Sequence, residues 1–199
     1  MLALSCPSAQ EADRCIADFD RTQAVVEAAL ARLLEQFPDN VRLAEVLVKV
    51  ATLDNLYGTN IWALQRLAEH ICGLGVDAAI REGSGEVVDR IARLSFEDKE
   101  RRNYSFATKY CAWHNPMAYP IYDWYVEAML WEYQRTFRFA TLLRKDLEHY
   151  SVFRSAVLAF RSHFGLEAYS LKAIDQYLWV QGKRRYIQKQ EDRARANGV

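Results

Sequence analysis

Apolar residues recur at spacings of three and four along almost the whole chain, the period of helices that bury one face. The pattern predicts a long amphipathic helix over 12–37, stopped by Pro38-Asp39-Asn40. A second helix over 41–56 is almost wholly apolar (VRLAEVLVKVATLDNL), which predicts a central position. Residues 57–60 form a turn with Thr59 or Asn60 as N-cap. The next helix, 61–72, ends at Gly73 and Gly75. Short helices over 76–81 and 86–94 are divided by Gly83-Ser84-Gly85. A charged, exposed segment covers 97–103, and a helix over 105–114 breaks at Asn115-Pro116. Asp123 caps or opens a helix reaching about residue 135, and helices over 141–149, 152–164 and 171–181 complete the core. The tail from 182 to 199 reads as a frayed basic helix. Strand-like alternation, internal repeats and low-complexity tracts are absent from the sequence. The expectation is therefore an all-α fold: one helical domain over 1–199, with approximate lobes of 41–135 and of 1–40 plus 136–199 facing across a cleft.

Composition narrows the class. The 199 residues are 51% hydrophobic and 26% charged, enough apolar surface for a packed core and unlike a disordered chain. Apolar runs fall well short of the ~20 residues of a membrane span. The start, MLALSCPSAQEADRC, lacks the basic region of a signal peptide. Cys6, Cys15, Cys72 and Cys111 form no C-x-x-C pair and no zinc spacing, so reduced thiols in a cytoplasmic protein are expected, with no metal and no cofactor. Net charge is zero, but its distribution is polar: residues 1–98 carry 9 basic and 16 acidic side chains (9 − 16 = −7), and 99–199 carry 17 and 10 (17 − 10 = +7). Such a split either frees the second half to face phosphates or docks two complementary halves on each other.

Chemistry concentrates in residues 104–126, YSFATKYCAWHNPMAYPIYDWYV, with eight aromatic residues around one lysine and one aspartate. On a helix over 105–114, Phe106, Lys109, Tyr110 and Trp113 share a face. Desolvation among those rings would lower the lysine's proton affinity and leave a nucleophilic amine. Asp123 at a helix start would stay ionised and could stabilise an oxocarbenium-like transition state. A plain Lys109–Asp123 ion pair with an N-cap is the competing account. His114 is either a general acid–base or a helix C-terminal cap. The aromatic residues either pack conventionally or stack on a flat ligand such as a base. Basic runs at Lys99/Arg101/Arg102, Arg135/Arg138/Arg144/Lys145 and Lys183/Arg184/Arg185/Lys189 are phosphate candidates or solvated faces. No glycine-rich phosphate loop, G-x-S-x-G or H-E-x-x-H occurs. The acidic clusters Asp13/Asp18/Asp20 and Glu97/Asp98/Glu100 lie on polar segments, which argues against a metal-dependent nuclease.

Two stretches resemble the helix-hairpin-helix DNA glycosylases, in particular their 8-oxoguanine branch. LAEVLVKVATLDNLYGTNIWALQRLAEHICGLG resembles the part of that family where a polar turn enters DNA, and ATKYCAWHNPMAYPIYDWYV its catalytic-lysine helix, proline turn and aspartate. The resemblance covers under a third of the chain. It implies Lys109 as the amine that attacks the sugar C1′, and Asp123 as the carboxylate that supports base departure. It implies Asn60, with Asn55 and Tyr57, as the turn probing an opened duplex, and Phe106, Trp113 and Trp124 as walls of a pocket for a flipped base. The family's glycine-rich hairpin is replaced by FEDKERRNYSFATK, where Lys99, Arg101 and Arg102 are candidates to supply charge in its place. The expected partner is damaged duplex DNA. The rival expectation is a non-catalytic helical binding protein that keeps Lys109–Asp123 as a structural pair.

Overall fold

A computed structural model describes residues 4–96 and 99–196, the side chains of Phe96, Lys99 and Ala196 excepted. It is an all-α domain with one small hairpin. Helix α1 (Ala9–Gln36) starts where the Ser8 hydroxyl accepts the Glu11 N–H, and it ends before Pro38. Helix α2 (Leu43–Tyr57) buries Val46, Lys49, Val50 and Leu53, and stops at Gly58 in the left-handed region, φ 59°. Helix α3 (Leu64–Leu74) stops in the same way at Gly75. The short helices α4 (Asp77–Arg81) and α5 (Glu86–Ala92) lead into strands β1 (Arg93–Phe96) and β2 (Lys99–Arg102). Then come α6 (Tyr104–His114), α7 (Trp124–Phe137), a 3-10 turn (Arg144–Glu148), α8 (Tyr150–His163) and α9 (Leu171–Ala196). Helix α9 lies against α1 and α7, while α2 packs on α1, α3 and α6.

Four local expectations are corrected. The described part of the charged stretch, 99–102, is a strand paired antiparallel with 93–96, with Arg93 opposite Arg102 and Ser95 opposite Glu100; Glu97 and Asp98 lie outside the described residues. One buried side chain, Leu94, anchors it while Arg93, Glu100 and Arg101 face solvent, so a two-position alternation in four residues was too short to read. Neither Thr59 nor Asn60 is an N-cap. The Asp54 carboxylate captures the Thr59 hydroxyl at 2.7 Å and the Ile61 N–H at 2.9 Å, Asn60 takes φ 58°, and α3 begins only at Leu64. Residues 141–149 form no α-helix, because the Asp146 carboxylate accepts the Leu143 N–H at 2.8 Å and closes a 3-10 turn. The tail is not frayed before residue 196, since α9 runs unbroken through Gly182. That glycine is required: a Cβ there would stand 2.6 Å from the Tyr125 carbonyl and 2.8 Å from its Cβ, so α9 can approach α7 only without a side chain.

Buried tyrosines place their hydroxyls on specific acceptors, which is how so aromatic a core satisfies its polar atoms. Tyr104 reaches the Leu147 carbonyl, Tyr119 those of Ala79 and Ser84, Tyr150 that of Pro120, and Tyr133 pairs with Tyr177 at 2.7 Å. Among the described residues no helix is long and apolar enough to cross a membrane.

Candidate functional site

Helix α6 carries Lys109 to the wall of a cavity of about 250 Å³ lined by α1, α2, α6, α7, α9 and the loop before α7. Lys109 is 2% exposed. It donates to the Ser105 hydroxyl at 2.6 Å and the Tyr122 carbonyl at 3.1 Å, and lies 3.7 Å from Asp123 Oδ2. Asp123 is the N-cap of α7: its Oδ1 accepts the Tyr125 N–H at 2.9 Å, leaving Oδ2 for the lysine. The loop is strapped in place from two helices. The Tyr122 N–H donates to Thr108 Oγ1 of α6 at 3.0 Å, and the Ile121 N–H to Asp175 Oδ2 of α9 at 2.6 Å. The proline-bounded turn therefore has little freedom in where it delivers Asp123.

Burial pulls the Lys109 amine below its ordinary value, opposed by the charges of Asp123 and Asp175. Burial pushes the Asp175 carboxyl well above the carboxylate range, against the Ile121 N–H and Lys109, which pull it down. Asp175 Oδ1 is buried without a hydrogen-bond partner, and the residue lines both this cavity and an adjoining one of about 240 Å³. The cavity thus holds a desolvated amine, a partly exposed carboxylate and a buried carboxyl biased towards its neutral form, among aromatic walls.

The remaining candidates scatter. Tyr57 does not project from the turn; its ring lies 5.4 Å from the Lys109 amine, and its hydroxyl accepts the Trp113 Nε1–H at 2.9 Å, so it walls the cavity. Trp113 lines the adjoining cavity and not that of Lys109, and the Lys172 amine stands 4.5 Å from its ring. Phe106 is 1% exposed and packs on Tyr110, a core position and not a wall of the Lys109 cavity. Trp124 is 55% exposed and does not line the cavity; its ring meets that of Tyr125, which does, at 5.1 Å. His114 faces the opposite way, its Nε2 3.4 Å from the Lys49 amine; burial and that neighbouring charge hold its proton affinity down at about 3. It is not the helix cap either: the Asn115 N–H closes α6 on the Cys111 carbonyl. Asn55 is exposed on the last turn of α2. Asn60 shares a shallow depression with Arg101 and Arg102, the Arg101 guanidinium 5.9 Å from the Trp62 ring. Arg102 is engaged by Asp89 at 3.2 Å, the Glu148 carbonyl and the Tyr104 ring, a structural use of that charge. The Lys99 side chain, and Glu97 and Asp98, lie outside the described residues. No cluster of metal-ligating side chains occurs among the described residues.

Sequence reasoning missed Asp175 and Lys49. Asp175 follows Ile174 in LKAIDQYLWVQ, and the apolar spacing Leu171, Ile174, Leu178 puts residue 175 on the buried face. A lone carboxylate there was the available signal. Lys49 sits likewise on the apolar face of α2, fully buried, donating to the Phe37 and Asp39 carbonyls and to Asn40 Oδ1 at 2.7–3.0 Å.

Residues 11–118 match a family model described as HI_0787_N, N-terminal domain, and the chain belongs to that family. The matched stretch contains Lys109; Asp123 and Asp175 follow it. A protein of Haemophilus influenzae, named only as an uncharacterized protein, is 38% identical over 146 residues, which are 73% of this chain and 70% of that protein. No solved structure matches the chain significantly.

Proposed function

We propose that the protein is a DNA glycosylase that removes a modified purine through a Lys109 Schiff base and then acts as a lyase on the abasic sugar. The observation carrying this reading is a desolvated lysine amine 3.7 Å from a carboxylate at the wall of a cavity on the scale of one flat heterocycle. In this chemistry the neutral amine forms a bond to C1′ as the glycosidic bond breaks, and the departing base takes up a proton. Asp123 offsets the positive charge developing on the sugar at short range. The nitrogen lone pair then expels the ring oxygen from C1′, which leaves as a protonated hydroxyl and gives the imine; loss of a C2′ proton to water as the C3′–O bond breaks releases the 3′ phosphate. Asp175, biased towards its neutral form, would offer an O–H to the base where an ionised carboxylate could only accept. The target nucleotide must leave the stack to reach these groups.

One observation favours a non-catalytic helical binding protein instead: at 2% exposure, with two hydrogen bonds and an ion pair, Lys109 is held as a structural lysine would be. Single-turnover excision separates the two. Under the glycosylase reading, duplexes bearing 8-oxoguanine or another modified purine release the base, and Asp123→Asn slows release at least a hundredfold while the protein stays folded. Absence of release across a panel of modified purines would favour the structural pair.

A further inference from the structure

An aromatic ledge leads from the cavity to the surface. Phe19 meets Trp179 edge-on at 5.6 Å, Trp179 meets Tyr125 at 6.0 Å, Tyr125 meets Tyr186 at 5.8 Å, and Tyr186 meets Trp124 at 5.3 Å. The first three rings line the cavity; the last two are open to solvent, Trp124 at 55% and Tyr186 at 39%. The core of α7 is made elsewhere, by Val126, Met129, Leu130 and Tyr133, so the ledge is not what seats that helix. Its setting is cationic. Residues 182–196 of α9 carry six basic and two acidic side chains, and the Lys183 amine stands 4.7 Å from the Trp179 ring. Asp18 and Glu132 occupy Arg184, Arg185 and Lys189 in part. On the cavity side the acidic neighbours are Asp123, Asp175 and Glu27, the last paired with Lys172.

We propose that this ledge binds single-stranded nucleic acid, with bases stacking on Trp124 and Tyr186 and the backbone tracking Lys183 and the basic face of α9. Exposed flat rings beside lysine and arginine are what unpaired bases on a phosphate backbone require, and stacking tolerates any base because each has a π-face. Continuity with the cavity gives the ledge a role: it holds the nucleotide next to the one presented to Lys109. The inference rests on nucleic acid being the ligand of the proposed site, but not on any chemistry at Lys109.

The test is fluorescence anisotropy of a labelled oligothymidylate of about 15 nucleotides at low salt, using the full chain. The comparator is an oligomer of the same length made of tetrahydrofuran abasic units, which have phosphates but neither bases nor an aldehyde for an amine to trap. The expected result is binding that weakens about tenfold in Trp124→Ala and in Tyr186→Ala, with Trp124→Phe retaining most of it. The abasic oligomer should bind at least tenfold more weakly than the thymidylate, and Lys183→Gln should reduce the salt slope by about one. The readout is reversible binding to oligomers that present no damaged base and no aldehyde, so a failed glycosylase reading leaves this result standing. Equal binding of the two oligomers, alanine variants that bind normally, or binding of anionic vesicles in place of the oligomer would each overturn the proposal. Both ledge positions are exposed, and circular dichroism of each variant confirms the fold.

Discussion

Lys49 offers a measurement in which the magnitude follows from the structure. Its ammonium is fully buried beneath the turn that joins α1 to α2. Desolvation lowers its proton affinity from 10.5 to about 8, outweighing the opposing charges of Asp77, Glu45 and Asp39. In the unfolded chain the group titrates near its ordinary value. Below pH 8 it is charged in both states, and the native state carries the whole cost of burying that charge. Between pH 8 and 10.5 the native state releases the proton first, so Lys49 becomes less costly as pH rises. At 1.36 kcal/mol per pH unit the gain totals about 3 kcal/mol. Lys49→Gln removes the titration but keeps an N–H donor for part of the Phe37–Asp39–Asn40 acceptor set, at a cost of about 1–3 kcal/mol near pH 7. Urea unfolding of both proteins from pH 7 to 10.5 isolates the effect, since every other titrating group is shared. The stability difference should widen in favour of the lysine protein by about 3 kcal/mol over that window. A difference that stays flat or narrows would refute the account of the buried ammonium.

Other outcomes follow from the same physics. His114, held at about 3 by burial and by Lys49, supports stability fully above its ordinary value of 6.5 and loses it as pH falls towards 3, so His114→Gln should move the acid-unfolding midpoint to lower pH. Asp175 keeps its proton in the native state above the pH at which the unfolded chain releases it. Relative to Asp175→Asn, the wild-type protein should therefore lose stability as pH rises above the ordinary carboxylate value, read as the difference of two denaturation series. Gly182→Ala should destabilise by about 1–3 kcal/mol in urea, because its Cβ meets the Tyr125 carbonyl and Cβ, neither of which a rotamer change can move away.

Much of the fold was legible because its determinants are local. The three- and four-residue period located α1, α2, α6, α8 and the first half of α9, and the Asp123 cap was readable because one carboxylate and one proline turn define it. What escaped depended on partners distant in sequence. Asp54 diverts the start of α3 by capturing groups five and seven residues ahead, and Gly182 reads as a helix breaker until α7 is seen lying against it. The same division runs through the candidate site. Lys109 and Asp123 are 14 positions apart and share one wall, and they were found. Phe19, Gln23, Glu27, Asp175 and Trp179 come from opposite ends of the chain and complete the cavity only in three dimensions. Phe106 and Trp113 lie on a common helix face by period, yet one is core and the other lines the adjoining cavity, since period fixes direction and not what lies opposite.

Borohydride trapping tests the central claim most directly. The protein is incubated with duplexes bearing 8-oxoguanine or an abasic site, reduced, and resolved by denaturing electrophoresis, with Lys109→Gln alongside. A covalent protein–DNA band that disappears in Lys109→Gln is the predicted result, and it identifies the amine. A band that persists in Lys109→Gln, or no band on either duplex from a folded protein, would contradict Schiff-base chemistry at Lys109 and leave the lysine as half of a structural ion pair.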